Sequence, residues 1–295
     1  MNICYCHYRL LLRFEYPLTF YQPLPFILRS ALGKELKYLS CVLKNQQCAE
    51  CPLRFKCAYS VVFETPIDKN SQYLKGRNHA TPPYAFKLEH ESQMDGDTIS
   101  IGFTLIGKGC EYAPYVMLAL ARAGENGLFK ERVKYTIEDA ECNGHTLELS
   151  TASHPLETFT LCESDTRIYK NLVLNFKSPF RFKKQGTYSS DISLQDILTS
   201  IVRRINLLSG FYGDGAQTVL PTDDCEMGTE LRWCEDSRYS ARQKETMKLG
   251  GVVGKCTIDG EISEHTLSLL KAAELFNIGK NISFGLGYIT ITEVP

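Results

Sequence analysis

The chain has no run approaching the roughly 20 apolar residues that a membrane-spanning helix needs, so no membrane partner is expected. It has almost no net charge: 33 Lys and Arg stand against 34 Asp and Glu, a formal −1. Any polyanion must therefore be held by a local patch and not by the field of the whole molecule. The opening segment MNICYCHYRLLLRFEYP does not read as an export signal, because Arg9 and Arg13 break its apolar run into strand-like alternation. Without export, the 12 cysteines are expected to be cytoplasmic thiols or metal ligands. Low-complexity sequence is missing too. So is a Walker loop: FNIGKNISFGLGYITI spaces Gly279, Gly285 and Gly287 as G-x5-G-x-G, with no Lys-Ser/Thr pair after the later glycines. That loop also follows a helical pattern and precedes a strand pattern, the reverse of a P-loop. It fits either a helix C-cap turning into a strand or a cradle whose backbone N–H groups and Lys280 meet an anion.

What is present is ordered. With 295 residues, 43% hydrophobic and 23% charged, the composition is that of a globular protein of about two domains. Strand patterns occupy 4–16, 98–107, 129–139, 170–177 and 286–292. Helical patterns occupy 24–40, with Leu28, Leu32, Leu36 and Leu39 on one face, then 114–123, 194–209 and 265–277. A hairpin is expected at 246–258. Each half reads β-α-β-β-α-β, so the expected fold is α+β, two tandem ferredoxin-like domains over 1–165 and 166–295.

Cys41, Cys48, Cys51 and Cys57 form C-x6-C-x2-C-x5-C in an insertion at 41–57. Four soft ligands with one C-x2-C hook can close a tetrahedral site with no open position. The expected cofactor is structural zinc, with an iron–sulfur cluster as the alternative. The second chemical signal is RYSARQKETMKLGGVVGK, in which Arg238, Arg242, Lys244, Lys248 and Lys255 face one acid, Glu245. In an extended segment Arg238 and Arg242 share a side, while Tyr239 and Gln243 can stack on or hydrogen-bond bases. Arg203 and Arg204 sit on the helical pattern at 194–209, where at least one must leave the apolar stripe.

The motifs LRSALGKELKYLSC, CPLRFKCAYSVVFETP, FTLIGKG, PYVMLALARAG, KSPFRFKK, IVRRINLL, the basic stretch and the glycine-rich loop at 279–287 together resemble the RAMP superfamily of CRISPR proteins. Within it the chain is similar to the CRISPR-associated (Cas) endoribonucleases that process precursor CRISPR RNA, in a subgroup marked by the four cysteines. The resemblance implies two ferredoxin-like domains and a partner in CRISPR repeat RNA, with other Cas proteins and a homodimer as further partners. It implies cleavage without a catalytic metal, in which a ribose 2′-hydroxyl attacks its own phosphate and leaves a 2′,3′-cyclic phosphate and a 5′-hydroxyl. Such a reaction draws on a general acid and base, on cations around phosphorus and on in-line positioning. It further implies that Arg29, Lys34 and Lys37 on the first helix face the cleft between the halves, and that the loop, with Lys280 and Asn281, lies beside the basic hairpin. The RNA-binding candidates are Arg29, Lys34, Arg203, Arg242, Gln243, Lys248, Lys280 and Asn281.

The chain departs from the family at the proton-transfer residues. The first helix holds no histidine, and Asn277 stands two residues before Gly279 where family members commonly have one. Asparagine can bond a phosphate but not shuttle a proton. Of the six histidines, His7, His90, His145, His154 and His265 have structural or solvated settings. His79, in LKGRNHATPP, is the candidate acid or base, with Arg238 and Tyr239 as the other catalytic candidates. The missing histidines also favour an alternative, an inactive crRNA-binding subunit of a CRISPR complex. A redox iron–sulfur protein is the third reading.

Overall fold

The computed structural model describes residues 1–20, 22–67, 79–88, 94–148, 154–223, 225–235, 237–240 and 245–294. The first strand, β1 (Asn2–Phe14), shows the alternation its sequence suggested. Cys6, Tyr8, Leu10, Leu12 and Phe14 are buried, while Arg9 and Arg13 point away and pair with Glu141, and with Glu138 and Asp97. Helix α1 (Leu24–Ser40) starts with Pro25 in its first turn and buries Leu28, Leu32 and Leu36. The first domain continues through β2 (Tyr84–Lys87), β3 (Thr98–Ile106), α2 (Ala113–Asn126), β4 (Tyr135–Cys142), β5 (His145–Thr146) and β6 (Glu157–Thr160). Its sheet runs β2-β3-β1-β4-β5, with β6 also paired to β1.

The second half has β7 (Arg167–Phe180), a small hairpin of β8 (Lys183–Lys184) and β9 (Thr187–Tyr188), α3 (Leu194–Tyr212), β10 (Glu226–Cys234), β11 (Ser237–Ser240), β12 (Glu245–Lys248), β13 (Gly251–Ser263), α4 (Glu264–Phe276) and β14 (Ile289–Glu293). Its main sheet runs β10-β13-β7-β14. In both halves, then, the first and third strands of a β-α-β-β-α-β unit lie centrally, as a ferredoxin-like fold requires. Helix α3 begins at a reciprocal capping box between Ser193 and Asp196, and α4 at Ser263, whose hydroxyl accepts from the Thr266 N–H.

Three expectations change. The four residues of β2 are buried throughout, so a stretch with no visible alternation supplies an edge strand. The strand expected from 129 starts at Tyr135, because Leu128 and Val133 bridge a turn in which Phe129 and Arg132 take positive φ of 65° and 55°. Residues 246–258 are not one hairpin: β12 pairs with β11, whereas β13 pairs with β10 and β7. Elsewhere, in the first half, the Cys6 and Cys142 thiols both donate to the Pro155 carbonyl, at 3.3 and 3.4 Å.

The two halves share packing. Ile3 and Ile106 of the first join the apolar core of the second. The Tyr212 hydroxyl donates to the Thr81 carbonyl at 2.6 Å. Lys87, on β2, is buried with its ammonium 6.0 Å from the Tyr288 ring centroid. Burial pushes its pKa down from 10.5 to about 8, with Glu274 opposing. Below pH 8 the folded and unfolded chains both carry the proton, and the folded chain bears its desolvation cost. Between about 8 and 10.5 the unfolded chain binds more protons, so stability rises with pH across that window. Lys87→Met should therefore stabilise at pH 7 by on the order of 2 kcal/mol, a gain that shrinks toward pH 10. Urea titrations at both pH values check this; a loss of stability at both would show that the ammonium makes a favourable contact instead.

Candidate nucleic-acid interface

Helix α4 ends at Phe276, and the next eleven residues fold back on themselves. Asn277, fully buried, takes φ 52° and ψ 162°. The Ile278 N–H donates to Gly287, Lys280 to Arg181, Phe284 to Asn281, Gly285 to Ile282 and Gly287 to Pro179, all onto backbone carbonyls. The glycines are needed for this closure. Gly279, Gly285 and Gly287 have φ between 70° and 89°. A Cβ at Gly287 would lie 1.7 Å from the Ile278 oxygen, and one at Gly279 would lie 2.8 Å from the Arg181 oxygen. So these five N–H groups are spent on protein, and the loop is a brace locked to the end of β7. What it offers a ligand is carried by its side chains.

On one side of the loop those side chains complete a basic pocket. Lys280, Asn281 and Ser283 meet Arg181 and Lys183 from the end of β7 and Arg203 and Arg204 from α3, around a cavity of ≈ 280 Å³ closed on the first-domain side by Ala80–Pro82. No Asp or Glu lines it among the described residues. Arg203 and Lys280 are exposed, but Arg181 and Arg204 are only 5% and 4% exposed. Arg204 donates through Nε to the Phe276 carbonyl at 3.3 Å and through Nη1 to the Thr81 hydroxyl. Burial lowers its pKa to about 10, which leaves it charged at neutral pH. Arg204 Nη2 and Arg181 Nε are buried donors that meet no acceptor among the described residues. Arg181 and Lys183 also lie 4.2 and 5.0 Å from the ring centroid of Tyr188, an exposed aromatic beside the pocket. Buried guanidinium N–H groups without an acceptor are costly, and a phosphate oxygen is the acceptor that suits their planar fork. Arg181, Lys183 and Arg204 carry this pocket, yet the sequence alone did not single them out as ligands. The usable signal was FRFKK, which puts two cations on one side of a strand end.

The other sequence candidates lie apart. Arg29 stacks between Phe63 and Phe284, its guanidinium carbon 5.2 and 4.3 Å from their ring centroids, so it reaches the glycine loop as a packed brace. Lys34 does not face the cleft: it lines the opposite flank of α1, against α2. Lys37 sits over Tyr59, at 5.4 Å. His79 is exposed, bridges to Pro66 and donates from Nδ1 to the Glu64 carbonyl at 2.7 Å. It lines a cavity with the cysteine loop, not the basic pocket. Arg238 and Tyr239 stand in β11 opposite Met247 and Thr246, and Lys248 is exposed opposite Ser237. The next residue, Leu249, packs with Phe26, Leu286 and Phe284, so the hairpin base does dock beside the loop. Arg242 and Gln243 lie outside the described residues.

Cys41 caps α1, Cys48 and Cys51 flank a short turn, and the Cys57 thiol contacts Ser40 at 3.7 Å. Burial and nearby Glu64 raise the Cys48 thiol pKa, and Cys41 and Cys57 add to that. All four thiols are free. Among the described residues no three His, Cys, Asp or Glu side chains converge closely enough to hold an ion, so as folded here the four thiols do not form a closed tetrahedral set.

Residues 3–158, more than half of the chain, match the family model AF_1859_N, an N-terminal domain. The chain belongs to that family. Its second half, over residues 174–289, matches the model of CRISPR-associated endoribonuclease Cas6, the RAMP branch that the sequence motifs resembled. An Archaeoglobus fulgidus relative, described as an uncharacterized protein, is 24% identical over 273 residues, covering 89% of each chain. Thermus thermophilus Cas6 shares the fold at a TM-score of 0.52 and 14% identity, over 98% of this chain and 99% of that one. A Cas6 product complex superposes at 0.54 with the same identity and coverage. A chain in a partial Cas6-RT-Cas1–Cas2 complex superposes at 0.57 and 14% identity over 99% of this chain, which spans 46% of that longer one.

Asn277 is the residue whose role changes most. It does not face solvent, so it cannot position a substrate phosphate. Its amide Nδ2 donates to the Phe86 carbonyl of β2 at 2.9 Å and the Leu286 carbonyl at 3.3 Å. Asn277→Ala removes both bonds from a buried site while keeping a positive φ, and should cost about 3 kcal/mol. Asn277→His should destabilise as well, because the fully buried site has no room for the ring. Thermal melts test this; a wild-type Tm for both variants would contradict the brace.

Proposed function

We propose that the protein binds CRISPR repeat RNA and cleaves precursor crRNA through metal-independent attack of a 2′-hydroxyl, leaving a 2′,3′-cyclic phosphate and a 5′-hydroxyl. The observation that carries this reading is the carboxylate-free pocket, where Arg181 and Arg204 are buried with unmet donors beside Arg203, Lys183 and Lys280. Clustered cations of this kind hold RNA phosphates and stabilise charge on phosphorus. The lining has no Asp or Glu among the described residues, the side chains that most often hold a divalent ion. The match of the second half to Cas6 supports the same substrate class.

In this reading Lys280, Asn281 and Arg203 grip the backbone, Tyr188 offers a stacking face, the hairpin with Arg242, Gln243 and Lys248 extends the RNA path, and its Arg238 and Tyr239 are proposed catalytic residues. Arg29 anchors the loop against α1, and Lys34 adds a contact farther along α1. His79 is the proposed acid or base: its Nδ1 donates to Glu64, which leaves Nε2 to accept a proton. We place the chain in a four-cysteine subgroup. There Cys41, Cys48, Cys51 and Cys57 close on a structural zinc once the loop tightens, on the strength of their spacing. Its 12 free cysteines fit a cytoplasmic protein. Other Cas proteins are its proposed partners, with a homodimer as a further assembly.

Incubated in EDTA with labelled repeat RNA, the protein should cut at one position and leave a cyclic phosphate. Tight binding with no cleavage would instead establish the inactive crRNA-binding subunit, which the burial of Asn277 and the outward setting of His79 favour. Lys280→Ala and Arg203→Ala should each weaken binding and flatten the slope of log K against log salt by about 0.7–0.9. Arg9→Ala, at an exposed arginine paired with Glu141 and outside the pocket lining, should leave both unchanged; wild-type slopes in the two pocket variants would sink the pocket. Elemental analysis should find zinc in wild type and none in the Cys48→Ser, Cys51→Ser double variant, with a lower Tm. A visible absorbance band would assign an iron–sulfur cluster in its place.

A further inference from the structure

Helix α1 has a second flank on which this reading uses only Lys34. Arg29, Gly33 and Lys37, spaced by four, face Phe63, Phe284 and Tyr59. Ala31, Lys34, Glu35 and Tyr38 face the other way, into a groove shared with α2 and the turn that follows it. The groove consists of two cavities of ≈ 560 and ≈ 760 Å³ that share Lys34, Glu35, Asn126, Gly127 and Phe129. Its cations are Lys34, Lys37, Lys44, Arg122, Lys130 and Arg132, against the carboxylates Glu35 and Glu131. Two exposed aromatic rings line it, Tyr38 at 65% exposed and Phe129 at 38%. Phe129 holds a left-handed backbone that a bulky side chain rarely adopts, as does Arg132 in the same turn. Such conformations persist where the fold forces them and often mark a ligand site. In the floor lies Glu35, only 4% exposed, with Arg122 Nε 3.4 Å from one carboxylate oxygen and Lys34 Nζ 3.8 Å from the other.

The geometry points to a groove for single-stranded RNA, with one guanine read by Glu35. Exposed aromatics lined by cations form the platform on which single strands stack. An ionised carboxylate only accepts hydrogen bonds, and guanine is the base whose Watson–Crick edge presents two adjacent N–H donors, N1 and N2, to a carboxylate. The lysines and Arg132 then meet the flanking phosphates. The groove sits on the first domain, whereas the basic pocket is built chiefly by the second, so it would take an unpaired segment flanking the repeat hairpin. It rests on the reading that the protein handles RNA.

The test uses fluorescein-labelled single-stranded octanucleotides, one all uridine and one with a central guanosine, bound to the full chain carrying Arg203→Ala and Lys280→Ala to silence the basic pocket. The guanosine strand should bind about 5-fold or more tighter than the uridine strand. Tyr38→Ala should weaken both by about 5-fold or more. Tyr38 is exposed, so the variant keeps its fold. Glu35→Gln should erase the guanosine preference and leave uridine binding intact. Equal affinities for the two strands, or a preference surviving Glu35→Gln in a protein of unchanged circular dichroism, overturns the guanine contact. Wild-type affinities in Tyr38→Ala, or Tyr38-dependent capture of a glutamate-rich peptide in place of RNA, overturns the groove. Failure of hairpin cleavage alongside intact, Tyr38-dependent octanucleotide binding would sink only the nuclease reading.

Discussion

The molecule depends on one buried amide. Asn277 sits where α4 must stop, where the glycine loop must close and where β2 of the first domain arrives, and its Nδ2 bonds the Phe86 and Leu286 carbonyls together. An asparagine tolerates the positive φ that turns the chain out of the helix, and its short side chain donates twice from one nitrogen. Without it two buried carbonyls would go unmet and the loop would lose its tie to the first domain. Arg204 works from the other side: it caps the last carbonyl of α4 and reaches Thr81, so one guanidinium links a helix end, an interdomain segment and the basic pocket. The pocket is therefore shaped by the same contacts that hold the two ferredoxin-like units together.

Charge is arranged by position, not by amount. A chain of net −1 can still hold a polyanion if its cations gather where no carboxylate answers them. The first sheet shows the opposite use, since Arg9 and Arg13 are paired with acids across strands. Exposed pairs of that kind contribute little to stability. Around the glycine loop no Asp or Glu lines the pocket among the described residues, and Arg181 Nε and Arg204 Nη2 are buried there without an acceptor. A fold retains unmet buried donors where a ligand supplies the acceptor.

The glycine loop departs from the anion-cradle expectation for a steric reason. Gly279 and Gly287 are each required by a neighbouring backbone oxygen, with Gly287 against Ile278 as the tightest case, and Gly285 is required by the Pro25 ring. The loop is a self-bonded clasp whose product is the placement of Lys280 and Asn281. The four-cysteine loop has the spacing of a metal site but, as described, not the convergence of one.

Periodicity was enough to determine β1, β3 and the four helices, because burying one face imposes a period of two or of about 3.6 on the residues themselves. The sequence also showed that one of Arg203 and Arg204 must leave the apolar stripe, and the structure shows that it is Arg203. It could not show β2, whose four residues are buried on both sides and so have no alternation, nor the turn at 128–133, where two bulky residues take a glycine-like backbone. It offered Asn277 as a phosphate contact, but only the packing of α4 against β2 puts that side chain inside. It placed Arg29 and Lys34 on one helix, yet which flank of α1 each occupies depends on what packs there, Phe284 for one and α2 for the other. Arg181, Lys183 and Arg204 became a site only in three dimensions. Residues more than twenty apart in the chain converge there through strand order and helix packing, which no local pattern encodes.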